Sequence, residues 1–184
     1  MDSQKEAFRR HLIQSRESAK NYELKGNYSK ALENYESAVR VADKFNDLKG
    51  KMKDLNRIGE IHRTLKKNEK ALPALKEALR VAKKLKDLSS FQMFLTQIGT
   101  IYEEEEYLKK AKKCYETVLK YHNELDLSSE RADILLKIGT IYEKQGKARG
   151  ALEKYNNALD ILLKMGIHNS PKAQMLEEKI KRLL

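Results

Sequence analysis

IGTIYEEEEYLKKAKKCYETVL, residues 98–119, and IGTIYEKQGKARGALEKYNNAL, residues 138–159, are two copies of one pattern offset by 40 positions. The offset extends backwards through Ile58-Gly59 to Ala19, so that a small residue recurs at Ala19, Gly59, Gly99 and Gly139. Three residues after each stands Tyr22, His62, Tyr102 or Tyr142, and twelve after each stands Ala31, Ala71, Ala111 or Ala151. Tyr35, Leu75, Tyr115 and Tyr155 come next, followed by Ala38, Ala78, Val118 and Ala158. Five columns in four rows define an internal repeat. A small side chain lets a neighbouring helix approach closely, and the aromatic three residues on is expected to fill the gap beside it. One such hairpin cannot bury its apolar face alone, so the copies are expected to stack through nearest-neighbour contacts.

A charged content of 35%, a hydrophobic content of 40% and only two prolines suit long amphipathic helices, and no Pro-rich or Ser-rich tract marks a linker. The expected fold is all-α and forms one domain over 1–184, with repeats at about 4–46, 47–87, 88–126 and 127–167. First helices are expected at about 3–24, 48–65, 89–105 and 129–145, and second helices up to about 45 and over 69–86, 108–125 and 148–165. Gly26-Asn27 reads as the first turn, and Asp47, Asp87 and Asp126 read as caps for the first helices of rows two to four. Pro73 is expected to kink its helix locally. The equivalent residues Glu33, Lys113 and Glu153 suggest an outward-facing site that tolerates the distortion. Ser170-Pro171 opens a further helix over 171–184 whose Met175, Leu176, Ile180 and Leu183 stripe is expected to cap the last hairpin, in preference to lying on a membrane surface.

No apolar run approaches the length of a membrane span or a signal peptide, so the expectation is a soluble, cytoplasmic protein without membrane insertion. The single Cys114 suits a reducing compartment and reads as a small boundary residue. No P-loop, dinucleotide fingerprint, HExxH, CxxC or GxSxG occurs, which points away from an enzyme and from any cofactor. His11, His62, His122 and His168 are scattered, and Glu103 to Glu106 splay around a helix axis, so neither group reads as a metal site.

The net charge of +11 is uneven: residues 49–90 carry +8 and residues 91–130 carry −3. Such polarity can steer a partner, although Lys and Glu on exposed helix faces are also ordinary solubilising surface. The basic second row supports an alternative reading as an RNA- or DNA-binding helical repeat. Against it, the tyrosines fall in packing columns, leaving no stacking platform among the basic groups.

Ile138-Gly139-Thr140-Ile141-Tyr142, Gly146, Ala151-Leu152, Tyr155 and Ala158-Leu159 resemble the tetratricopeptide repeat, and row three repeats them with Ile98-Gly99-Thr100-Ile101-Tyr102, Ala111, Tyr115 and Leu119. Rows one and two are weaker, with Ala19 for the glycine and His62 for the aromatic, and the resemblance covers about 12–166. The usual period is about 34 residues, so the 40-residue offset is similar to the extended-helix variety of kinesin light chains and of the Leu-Gly-Asn-repeat spindle adaptor. HEAT repeats share a period near this one, but the side chains differ. Row one alone also resembles the hairpin of microtubule-interacting and trafficking domains. The tetratricopeptide resemblance implies a right-handed superhelix of four hairpins plus the capping helix. It also implies that first helices line a concave peptide-binding groove with no chemistry of its own.

On that expectation the inner stripe runs Arg16, Lys20 and Glu23, then Lys53, Asn56, Arg57, Glu60 and Arg63. It continues through Met93, Thr96, Gln97, Thr100 and Glu103 to Asp133, Leu136, Lys137 and Thr140. A cationic first half backed by hydroxyl and amide groups suits an acidic protein or peptide segment. The alternative is a solvated wall in a protein that binds by its convex face or ends. Some family members clamp the carboxylate tail of heat-shock chaperones. Here Arg16, Lys20, Arg57, Met93 and Gln97 hold those places and match that clamp poorly. Partner identity and oligomeric state have no sequence signature.

Overall fold

The structure, a computed structural model, describes residues 2–122 and 128–184, with side chains described from residue 6 onward. The described residues form α1 (Asp2–Leu24), α2 (Tyr28–Lys44), α3 (Leu48–Thr64), α4 (Asn68–Leu85), α5 (Leu88–Glu104), α6 (Leu108–Leu119), α7 (Ser129–Lys144), α8 (Ala148–Lys164) and α9 (Pro171–Leu183), and no strand. The chain is thus an all-α repeat of paired helices. One second helix is shorter than expected: α6 ends at Leu119, where the amides of Tyr121 and His122 donate to the carbonyls of Val118 and Leu119 and tighten the chain into a turn.

A left-handed residue recurs in steps of twenty from Gly26 through Asn46, Lys66 and Lys86 to Glu106, and again at Gly146 and Gly166, with φ between 55° and 77°. The amide of the next residue donates five residues back in each case, as in Asn27 to Tyr22 at 2.8 Å and Lys147 to Tyr142 at 2.9 Å. These 6→1 bonds satisfy carbonyls that a helix end leaves open, and they close all but α6 and α9 in the same way. At helix starts, the Asp47 carboxylate accepts from the Gly50 amide at 2.9 Å, and Asp87 accepts from the Ser90 amide at 3.1 Å and its hydroxyl at 2.8 Å. Asp126 lies outside the described residues, and α7 is capped by Ser128, whose hydroxyl accepts from the Arg131 amide at 3.2 Å. Ser170 caps α9 ahead of Pro171. Pro73 lies on the exposed side of α4, which continues through it, and Glu33, Lys113 and Glu153 are exposed at the matching places.

The helices group into two compact units, 1–98 and 99–184, with the boundary inside α5. In the first unit α1 packs on α2, α2 on α3 and α3 on α4. In the second, α6 packs on α7, α7 on α8 and α8 on α9. Ala19, Gly59, Gly99 and Gly139 are all buried. A Cβ added at Gly59 would lie 2.6 Å from Leu75 Cδ2, one at Gly99 2.7 Å from Tyr115 Cε1, and one at Gly139 2.5 Å from Tyr155 Cε1. The small column therefore packs on the residue sixteen positions later, in the second helix of the same hairpin. This corrects the expectation that the aromatic three residues on fills the gap. A side chain one turn along the same helix points the same way as the small residue, so the space above that residue can be filled only from the facing helix. Tyr22, His62, Tyr102 and Tyr142 are half-buried instead. Lys30, Lys110 and Lys112 cover the rings of Tyr22, Tyr102 and Tyr142 at 5.3, 5.4 and 4.9 Å.

In the second unit α9 places Ala173 and Leu176, both fully buried, against Leu135, Tyr155, Ala158 and Leu162, with Ile180 and Leu183 partly covered. Met175, expected in the same stripe, is instead 38% exposed, and Ala173 takes the buried place.

Candidate protein-binding faces

In the first unit α1 and α3 are tied by charge. The Arg16 guanidinium donates to Asp54 at 2.7 to 3.1 Å and to Asp47 at 3.1 Å. Asp54 is 4% exposed, and burial raises its carboxyl pKa more than Arg16 lowers it. Arg57 donates to Glu23 across the helix pair and to Glu60 at 2.6 Å along its own helix. Burial opposes the Arg57 charge, but the bonds to Glu23 and Tyr35 and the nearby Glu60 carboxylate outweigh it and raise the pKa. Asn56 donates to Glu60 at 3.0 Å and accepts from Gln97 at 3.3 Å, and the Thr96 hydroxyl donates to the Gln92 carbonyl at 3.0 Å. Arg63 is half-buried. Lys20 and Lys53 are exposed and form no salt bridge with the described residues. Lys20, Glu23, Arg57, Glu60 and Thr64 line a depression of about 450 Å³ whose apolar parts are Leu24, Tyr28 and Ile61.

In the second unit the Tyr115 hydroxyl donates to Glu103 at 3.0 Å and lies 3.2 Å from that of Thr100. The Lys137 ammonium donates to Thr100 at 3.4 Å and stands 5.4 Å from the Tyr115 ring centroid. Tyr155 donates to Glu143 at 2.5 Å and to Thr140 at 3.4 Å, and Glu143 also takes Lys179 at 3.0 Å and Arg182. Burial raises the pKa of both tyrosines, while at Glu143 the hydrogen bonds from Tyr155 and Lys179 outweigh burial and lower it. The Thr140 hydroxyl also donates to the Leu136 carbonyl at 3.1 Å, and Leu136 packs on the core cluster.

Arg16, Arg57, Glu103, Lys137 and Thr140, expected to face a partner, are therefore engaged in holding helices together, and Glu60 is engaged by Asn56 and Arg57 on its own helix. Two features escaped the sequence. Lys51, 6% exposed, donates to Asp43 at 2.6 Å and lies 2.9 Å from Glu77. The second is the acid-to-tyrosine tie: Glu23, Glu103 and Glu143 accept from Tyr35, Tyr115 and Tyr155, each twelve residues on. Its signal was present in the columns, because row two replaces both partners at once, with Arg63 and Leu75. No group of three or more His, Cys, Asp or Glu side chains able to hold a metal occurs among the described residues. None of the described helices is long and apolar enough to cross a membrane.

Helix pairs that repeat one turn geometry at most of their described junctions, with small and large residues interlocking at a fixed spacing, define a helical repeat protein. The sequence matches the tetratricopeptide repeat family over residues 11–84 and again over 94–123, and the chain belongs to that family of tetratricopeptide-like repeats. Among solved structures it is similar to a tetratricopeptide repeat protein from Parabacteroides merdae, with a TM-score of 0.74, 20% identity and coverage of 95% of this chain and 60% of that one. It is similar to a putative kinesin light chain of Podosopora anserina with nearly identical TPR-like repeats, with a TM-score of 0.70, 16% identity and coverage of 94% and 84%. It also resembles BtubC from P. vanneervenii, with a TM-score of 0.69, 22% identity and coverage of 83% and 64%. At these identities the likeness is one of fold. The chain spans less than two thirds of BtubC and of the Parabacteroides protein. No curated protein matches it.

Proposed function

We propose that this chain is a non-enzymatic adaptor that captures a segment of another protein on the exposed face of its first helices, with four hairpins closed by α9 as the scaffold. The observation that carries the reading is the depression on α1 and α3. There, apolar Leu24, Tyr28 and Ile61 lie among charged and hydroxyl groups, a mixture suited to anchoring an apolar side chain while polar neighbours set its direction. Preference for an acidic segment rests on Lys20 and Lys53, since Arg16 and Arg57 already have carboxylate partners. The single cysteine suits a reducing compartment, and the cytoplasm is the location proposed.

The test replaces Lys20 and Lys53 by Glu and measures binding of arrayed acidic and basic peptides. Arg57 stays in place, because a Glu there would face Glu23 and Glu60. The wild-type protein should retain acidic segments, and the double variant should lose most of that affinity with its thermal stability unchanged. Equal retention would remove the acidic-segment reading. Tighter, steeply salt-dependent capture of single-stranded RNA would favour nucleic acid instead. The aromatic placement argues against that outcome: Tyr107 and Tyr121, 55% and 51% exposed, belong to the acidic 91–130 segment.

A further inference from the structure

In the first unit the turn between α1 and α2 and the turn between α3 and α4 line one open depression of about 670 Å³. Its cations are Lys25 from the first turn and Lys67 and Lys70 from the start of α4, with His62 between them. Its apolar parts are Tyr28, Leu32 and Leu65, all half-buried.

Several cations of this unit have carboxylate partners, Arg16 with Asp47 and Asp54, Lys51 with Asp43 and Glu77, and Arg80 with Glu77, whereas Lys20 and Lys53 lie outside this depression. Lys25, Lys67 and Lys70 are exposed and form no salt bridge with the described residues. Comparison between rows shows why Lys70 differs. Lys30 and Lys110, its equivalents, rest over the faces of Tyr22 and Tyr102. Row two has His62 at that place, so Lys70 has no tyrosine ring to cover. Burial first, then the charges of Lys70 and Lys67, lower the His62 pKa, and Glu36 is the one carboxylate acting the other way. The His62 Nδ1 atom is enclosed without a hydrogen-bond partner. Three cations from two separate turns thus line one depression without a salt-bridge partner, beside an imidazole that registers the charges of Lys67 and Lys70.

We propose that this depression binds a phosphate monoester, its oxygens held by Lys25, Lys67 and Lys70 and its organic carrier resting on Tyr28, Leu32 and Leu65. A dianion with three acceptor oxygens satisfies several ammonium groups at once, which a single carboxylate does less well. The α4 N-terminus, whose N-cap Lys67 offers no side-chain acceptor, adds backbone dipole of the same sign. The site shares Tyr28 with the α1 and α3 depression but draws on different lysines, Lys25, Lys67 and Lys70 against Lys20, so lysine variants distinguish failure of one from failure of the other.

The test titrates the full chain with phenyl phosphate and with inorganic phosphate at constant ionic strength, following the imidazole resonances of His62 and the amides of residues 27–30 and 67–70. Saturable shifts are expected with phenyl phosphate, accompanied by a rise in the His62 pKa as the bound dianion offsets the lysines. Inorganic phosphate should bind more weakly. Replacing Lys67 and Lys70 by Ser should weaken binding on the order of tenfold, and Lys25→Ser, on the opposite turn, should weaken it independently. Lys20→Ser should have no effect. Shifts that never saturate, equal affinity in the lysine variants, equal binding of the two phosphates, or the same shifts with chloride would each overturn the proposal.

Discussion

Gly139 sets the tightest tolerance among the glycines of the small column, because Tyr155, with no exposed surface, stands where its side chain would grow. Gly139→Ala should therefore destabilise the protein by about 1–3 kcal/mol, read as a shift of the chemical denaturation midpoint without a change of slope. Gly59→Ala should cost less, since the atoms in the way belong to the aliphatic side chain of Leu75, which yields more readily than a rigid ring. The columns made these residues legible as a repeat, but their partners were legible only in part. Sequence spacing along one helix brings Tyr142 to mind beside Gly139, whereas the contact is made across the hairpin by Tyr155. Charged residues were harder still. A Lys or Arg in an exposed stripe has the same sequence signature whether it faces water or a carboxylate on the next helix, and Arg57 meets Glu23 from 34 residues away.

Single elements carry their own pH dependence. Glu77 on α4 sits between Arg80 and Lys51. The hydrogen bond from Arg80 comes first among the causes that bring its pKa down to about 2 from 4.5, against a smaller opposing effect of burial. A carboxylate with a lowered folded-state value contributes stability that is present above its unfolded value and is lost as the proton is taken up. The contribution should fade between pH 4.5 and about 2. It should be modest, because Glu77 is partly solvated. Thermal melts of wild-type protein and Glu77→Gln should converge across that window and differ most above it. An unchanged pH profile in the variant would mean that the Lys51 and Arg80 contacts contribute nothing net. The element boundaries themselves were well marked in sequence, since Gly26, Gly146 and Gly166 announce left-handed turns. The equivalent turns at Asn46, Lys66, Lys86 and Glu106 were found only by period, because three of those four side chains carry no turn signature of their own.

At the scale of the whole molecule, an array held by neighbour contacts should lose stability locally. Leu176→Ala removes a fully buried side chain from the packing of α9 on α8, a change of about 2–5 kcal/mol. Amide hydrogen exchange should accelerate in α8 and α9 while α1 to α4 keep their protection. Uniform acceleration throughout the chain would show a single cooperative body instead. The exchange at residues 63 and 75 reaches further than one hairpin. Three rows set an acid against a tyrosine, and a cation 34 or 36 positions after the acid, Arg57, Lys137 or Lys179, meets that acid, its tyrosine or both. Row two has Arg63, Leu75 and, at the cation's place, Gln97. The positive charge has changed helix, and the hydroxyl and the carboxylate have left with it. In a chimaera that joins row two to a foreign neighbour, a cation standing at the place of Gln97 would meet Leu75 and Arg63 where the other rows offer a tyrosine and an acid.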